Sequence, residues 1–210
     1  MSTRLCLVRH GETAWNAEHR VQGQLDVPLS ETGLAQAQAA ARVLARERFD
    51  AIYSSDLSRA RQTAEATASR LGQEVLIEKD LRERHYGIFQ HLTYAEVRLR
   101  FPEDYRRFES RDPAYDFRTG ESLQDFSARS IRIFSAIAER HPGQHVLVFT
   151  HGGVLDKLYR HVTGLPLGAE RDFGIPNAGL NRIELQPAGW QIRAWADVAH
   201  LESALDDLRE

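Results

Sequence analysis

Two histidines of this 210-residue chain share one local setting. Leu7-Val8-Arg9-His10-Gly11 and Val148-Phe149-Thr150-His151-Gly152 each place an imidazole just past a short apolar run and just before a glycine. Such runs read as buried strands, and open α/β sheets bind ligands outside the carboxyl ends of their strands. If both strands are central and parallel, the two imidazoles land on one rim. Gly11 and Gly152 would let backbone come close to a ligand there. Either histidine alone is equally well explained as a strand end facing water; the pair together is not.

The chemistry these residues suit is phosphoryl transfer. Phosphate needs charged, fork-shaped donors, which Arg supplies better than Lys. Arg9 adjoins His10. Arg59 and Arg61 fall in the first turns of a helix that Asp56 can cap, just past Tyr53-Ser54-Ser55. Backbone N–H groups at that helix start would add to the positive field. Alone, these two arginines would read as a solvated helix face. A neutral imidazole can accept a phosphoryl group, and nearby cations lower its pKa and keep it neutral. The leaving oxygen then needs a proton, from Glu83 or His151. Glu83 lies in Leu81-Arg82-Glu83-Arg84-His85-Tyr86-Gly87, directly after a third strand over Val75–Ile77.

The elements that must position these groups can be read from periodicity and caps. Strands are predicted at Leu5–Val8, Ala51–Tyr53, Val75–Ile77 and His145–Thr150, with a loop from Gly23 to Pro28. Ser30 caps a helix that presents Leu34, Ala37, Ala41 and Leu44 on one face. The helix after Asp56 buries Ala60, Ala64, Thr67, Ala68 and Leu71 and stops at Gly72. Leu81 to Thr119 reads as short helices and loops covering one end of the domain. Ser122 and Asp125 resemble a capping box ahead of a stripe of Phe126, Ser130, Ile133, Phe134 and Ile137. A helix follows His151 to about Thr163. Leu180–Leu185 and Trp190–Trp195, joined through Pro187-Ala188-Gly189, form a terminal hairpin. Strands alternating with helices imply an α/β fold with a mostly parallel sheet between helical layers. The hairpin adds an antiparallel edge, so the sheet is mixed.

Composition narrows the class. A chain of 210 residues, 42% hydrophobic and 27% charged, suits a single domain over 1–210 with one sizeable core. No apolar run approaches the ~20 residues of a membrane span, and the N-terminal residues lack a signal-peptide cleavage site. Cys6 is the only cysteine and sits in an apolar strand, which fits a core position and a reducing, cytoplasmic compartment. A net charge of −3 argues against general nucleic-acid binding. The nine histidines form no HExxH pattern, and Pro142-Gly143 separates His141 from His145, so a metal enzyme is disfavoured. The expected partner is a small phosphorylated metabolite, with no nucleic acid and no membrane; a homodimer remains open.

The motifs also carry a resemblance. Arg9-His10-Gly11-Glu12-Thr13 with Trp15-Asn16, then Gln22-Gly23 and Pro28-Leu29-Ser30, resembles the histidine phosphatase, or phosphoglycerate mutase-like, superfamily. Ser54 to Ala64, Leu81 to Gly87, Gly120-Glu121-Ser122-Leu123 and Thr150-His151-Gly152 follow in the same order. The similarity runs over nearly the whole chain. It extends to short bacterial members labelled probable phosphoglycerate mutase, down to the tail Ala199 to Leu205. The resemblance implies a three-layer α/β/α sandwich with a helical cap region over about 88–120. It makes His10 the nucleophile and Glu83 the proton donor, with Arg9, Arg59 and His151 on the transferred phosphate. Asn16, Gln22, Gly23 and Gly152 would line the phosphate site, and Arg61, Arg84 and Tyr86 would be further contacts. No metal and no cofactor is implied for a phosphatase. A bisphosphorylated primer such as 2,3-bisphosphoglycerate would be needed only by a mutase.

Phosphatase and mutase share the phosphohistidine and differ in whether water or a bound sugar acid accepts the phosphoryl group. The cofactor-dependent mutases that this chain resembles carry a longer insertion after the Glu motif, a Lys where Tyr94 stands here, and polar residues where Val154-Leu155 follow the second His. These departures favour a metal-independent phosphatase of small acidic phosphomonoesters, with the mutase as the alternative. Arg106-Arg107 pull the other way, because the mutases use a paired Arg for the substrate carboxylate. A catalytically silent binding module would be expected to lack one of His10, Arg59, Glu83 or His151, and all four are present.

Overall fold

A computed structural model describes residues 2–201. The chain opens with strand β1 (Thr3–Arg9), a short helix α1 (Ala14–Ala17), and helix α2 (Glu31–Leu44). Strand β2 (Ala51–Ser54), helix α3 (Ser58–Leu71) and strand β3 (Val75–Ile77) follow. Two small helices, α4 (Tyr94–Arg100) and α5 (Pro102–Glu109), precede the long α6 (Leu123–Arg140), strand β4 (His145–Thr150) and α7 (Gly152–Thr163). Strands β5 (Leu180–Gln186) and β6 (Gly189–Asp197) end the described fold, and Glu202 to Leu205 of the family-like tail lie outside the described residues.

The strands form one sheet in the order β3-β2-β4-β1-β5-β6. The first four are parallel, and β5 and β6 run antiparallel at one edge. Side chains alternate across the strands. Leu5, Leu7, Val146 and Val148 face a core with Phe126, Phe134, Ile137, Val154 and Leu158 from α6 and α7. Cys6, Val8, Leu147 and Phe149 face Ala40, Leu44, Ala64 and Ala68 from α2 and α3. The result is the expected α/β/α sandwich. A separate small core of Val21, Phe89, Leu92, Val97, Tyr115 and Phe117 holds the region around α4 and α5. Among the described residues, no helix is long and apolar enough to cross a membrane.

Several local expectations change. Leu34 is half-exposed rather than on the buried face of α2, where Ala37, Ala40, Ala41 and Leu44 suffice. Asp56 does not cap α3. Its carboxylate takes both forks of Arg82 at 2.6 Å, and the cap position falls to Leu57 with no side-chain cap. Asp26, from the preceding loop, instead accepts the Ser58 N–H at 2.7 Å, so that helix start is already neutralised. Gly11 serves packing, not ligand approach: a Cβ there would lie 2.5 Å from the Gly33 carbonyl, where the backbone of α2 crosses.

Candidate active site

Strand register brings the histidines together. β1 and β4 pair in parallel with Arg9 opposite Thr150, so His10 and His151 are the next residues out on adjacent strands. The His10 N–H continues the ladder to the Thr150 carbonyl at 3.0 Å. The two rings lie edge to face with centroids 5.1 Å apart, and both are buried. His10 Nδ1 lies 2.7 Å from the Gly11 carbonyl. A carbonyl only accepts, so Nδ1 carries the proton and Nε2 holds the lone pair. His151 Nε2 is 2.9 Å from Ser55 Oγ, at the end of β2, and its buried Nδ1 has no partner among the described residues.

The arginines are aimed by backbone acceptors. Arg59, fully buried on α3, donates Nη2 to the Gly23 carbonyl at 2.7 Å and Nη1 to the Leu25 carbonyl at 2.9 Å. Arg9 donates Nη1 to the Ile175 carbonyl at 2.6 Å. The Nε atoms of both are buried without a partner. These acceptors are neutral, so the positive charge stays in the pocket. Desolvation pulls the Arg59 guanidinium down to about 10, and it remains charged at neutral pH. Burial first, then the charges of Arg59 and Arg9, hold His10 well below the usual imidazole range. Burial and Arg59 do the same to His151. Two neutral imidazoles flanked by two guanidinium groups form a site for a multiply charged oxyanion.

Glu83 reaches the same rim from beyond β3. Its Oε2 accepts the Gly153 N–H at 2.9 Å and its Oε1 accepts the Arg84 N–H at 2.8 Å. A Cβ at Gly153 would run into Oε1, so any larger residue there would push the carboxylate out of place. Arg129 of α6 clamps the segment that carries Glu83. It donates to the Asp80 and Arg82 carbonyls at 2.7 and 2.9 Å while pairing with both oxygens of Glu121 at 2.8 Å. Gly153, Ser55, Arg129 and Glu121 escaped the reading of the sequence as functional positions. The second glycine after His151, and the Glu121 of a family motif, were the signals.

The remaining expected residues divide. Asn16, Gln22, Gly23 and Tyr86 line a small inner pocket of about 160 Å³ with Arg9, His10, Arg59 and Glu83. Gln22 Oε1 is buried there without a partner, whereas Asn16 Oδ1 is committed to capping Thr13. Arg20, unforeseen, also lines it. Arg84 and Gly152 line an outer cleft of about 780 Å³, which shares Arg9, Glu83, Tyr86 and Tyr94 with the inner pocket. Arg61 does not join the site: it is exposed and paired with Glu65, one turn along α3. Neither do Arg106 and Arg107. Arg106 pairs with Glu103 on the solvent side of α5, and Arg107 holds Asp112 at 2.7 Å and lies over the Tyr115 ring. Besides Arg9, the cations that line the outer cleft are Arg84, Arg111, Lys157, Arg160 and Arg171.

The chain is similar to known proteins over nearly its whole length. The model of the histidine phosphatase superfamily (branch 1) matches residues 5–198. The metal-independent phosphoserine phosphatase of Arabidopsis thaliana is 41% identical over 204 residues, 96% of this chain and 84% of that protein. The probable phosphoglycerate mutase GpmB of Cronobacter sakazakii is 36% identical over 210 residues, 97% of each. The native structure of a mycobacterial glucosyl-3-phosphoglycerate phosphatase superposes with a TM-score of 0.83 at 32% identity, over 94% of this chain and 100% of that one.

Proposed function

The chain belongs to the histidine phosphatase superfamily, branch 1, and from that membership we propose that it hydrolyses small acidic phosphomonoesters through a phosphohistidine on His10, without a metal ion. One observation carries the reading: Nδ1 of a buried, neutral His10 is fixed to the Gly11 carbonyl, so Nε2 is the nucleophile beside Arg9, Arg59 and His151. Nε2 attacks phosphorus, the bond from phosphorus to the ester oxygen breaks, and Glu83 gives that oxygen its proton. Water then attacks the phosphoimidazole, Glu83 takes a proton from it, and His10 leaves neutral. Arg9 and Arg59 neutralise the phosphoryl oxygens throughout. With Ser55 donating to His151 Nε2, Nδ1 keeps a proton for a phosphate oxygen.

Hydrolysis is favoured over the mutase reading that the names of several relatives raise. Tyr94, which stands where the mutases carry Lys, contributes an aromatic ring to the cleft, and Arg106 and Arg107 are paired outside it. The buried lone Cys6 supports a cytoplasmic setting. The test is to quench the enzyme in alkali during turnover of 3-phosphoglycerate or phosphoserine, with chelator present, and to map the label. The expected result is phosphohistidine at His10, none in His10→Ala, and phosphate release that outpaces interconversion of 3- and 2-phosphoglycerate. A label elsewhere, a requirement for one divalent ion, or interconversion a hundredfold faster than release would each refute its part of the proposal.

A further inference from the structure

Helix α7 starts at the catalytic rim and runs along the outer cleft. Gly153, Asp156, Lys157 and Arg160 all line that cleft, as expected for positions spaced by three or four on one helical face. Asp156 Oδ2 accepts from both Lys157 Nζ, at 2.5 Å, and Arg160 Nε, at 3.0 Å. Two cations therefore share one carboxylate. Lys157 and Arg160 are only 7% and 3% exposed, so the surplus positive charge sits in the wall and not in bulk water. Arg84 adds to it. Its Nε and Nη2 donate to the Glu121 and Tyr115 carbonyls, which are neutral, and it lines the same cleft as Lys157, whose ammonium is held below its usual range by burial first and only then by Arg160 and Arg84. Of the other acids that line the cleft, Glu83 faces Arg9 and Arg59 as well as Arg84, Glu109 and Glu170 are exposed at the rim, and Asp112 is held by Arg107. A buried surplus cation is costly unless an anion meets it.

We propose that Lys157, with Arg84 beside it, forms a second anion subsite that takes the carboxylate of the leaving group. The assignment rests on the phosphatase reading of His10 and narrows it to phosphorylated short-chain acids. Reach supports the size. Glu83, the proton donor, is bound to Gly153, and Lys157 lies four residues on, about 6 Å along the helix at 1.5 Å per residue. From ester oxygen to carboxylate oxygen a three-carbon acid counts four bonds of ~1.5 Å, a contour of about 6 Å. Tyr86 and Tyr94, which line both cavities, would flank it.

The test compares 3-phosphoglycerate with glycerol 3-phosphate, which differ by the carboxylate and share a primary phosphate ester. In the full chain, Lys157→Met should lower the kcat/KM ratio of the first to the second at least tenfold, mainly through KM. Lys157→Arg should restore most of it. An unchanged ratio, including an equal loss on both substrates, would overturn the subsite and leave Lys157 a structural residue. Binding measured by calorimetry in a His10→Ala background separates the two readings. If wild type turns over neither ester, the phosphatase reading fails. A weaker affinity of His10→Ala, Lys157→Met for 3-phosphoglycerate alone would still uphold the subsite, and equal affinities would remove it. Sensitivity to Lys157 only for bisphosphorylated acids would assign the position to phosphate and overturn the carboxylate.

Discussion

The inner pocket and the outer cleft share a wall but are built differently. Around His10 the functional groups are fixed largely by main chain: Arg9 to the Ile175 carbonyl, Arg59 to Gly23 and Leu25, His10 to Gly11, Glu83 to the N–H groups of Gly153 and Arg84. All four parallel strands deliver to it. The outer cleft is bounded largely by side chains of helices α4 to α7, tied by local ion pairs such as Arg107–Asp112 and by stacking of Tyr94 on Phe108. The first arrangement can change only if the sheet changes. The second can vary one side chain at a time, which is how one chemistry can serve many leaving groups.

The comparison breaks most visibly at Glu83. Glu83→Gln preserves shape and one carbonyl acceptor but cannot deliver a proton. We expect kcat on alkyl phosphates to fall by about 10²–10⁴-fold, the usual scale of general-acid catalysis. On nitrophenyl phosphate, whose leaving group needs no proton, kcat/KM should lose little, while kcat falls with the later water attack that also uses Glu83. Arg129→Met removes the clamp on the segment that carries Glu83 and should show the same dependence on leaving group, with a loss of up to about 10²-fold from misplacement. Equal losses of Arg129→Met on both esters would mean that Arg129 serves folding alone.

The two regions should also separate by pH. His10 and His151 are buried neutral, with folded-state pKa values lowered first by desolvation and then by Arg59. Each protonates in the unfolded chain near 6.5. Below that pH the unfolded chain binds protons that the folded chain refuses, so this stability is complete above about 6.5 and is lost as pH falls toward the folded values. In the cap, Arg118 and Arg107 hold Asp104 and Asp112 below their ordinary range, so those contributions are lost only at more acid pH. Denaturation midpoints measured from pH 7 to 5 should therefore fall less steeply in His151→Gln than in wild type. An unchanged slope would refute the assignment.

What could be read from the sequence follows the same division. The two central strand ends were legible because short continuous apolar runs stop just before a histidine and a glycine, and parallel register then places His10 beside His151. Arg59 was found for partly the wrong reason, since Asp56 serves Arg82 and Asp26 guards the helix start. The outer cleft was not legible. Adjacent residues on a helix point about 100° apart, and which face of α5 turns inward is decided by Phe101, Tyr105 and Phe108 packing on Phe89 and Phe117, a contact of distant segments. Lys157 was hidden in the same way, as one cation within a helix that is otherwise largely apolar on its sheet-facing side.

The smallest expected effect is at the arginine pair that the resemblance singled out. Arg106 and Arg107 are exposed, their partners lie within five residues in sequence, and neither lines the cleft. Exposed pairs of this kind contribute little, because side-chain ordering and solvent screening offset most of the attraction. Arg107 also covers the Tyr115 ring at 4.8 Å, so its removal should cost more than that of Arg106. A double Arg106→Ala, Arg107→Ala variant should keep kcat/KM on 3-phosphoglycerate and on glycerol 3-phosphate within about twofold, with only a small shift of the urea denaturation midpoint. A selective loss on the carboxylate-bearing ester would reverse the comparison. It would require α5 to turn its arginines inward when substrate binds, moving selectivity from the buried wall of α7 to the cap. Because Phe108 lines the cleft from the same helix, that rotation would have to withdraw its ring from Tyr94 and Phe89, so tyrosine fluorescence on adding 3-phosphoglycerate to His10→Ala would report it directly.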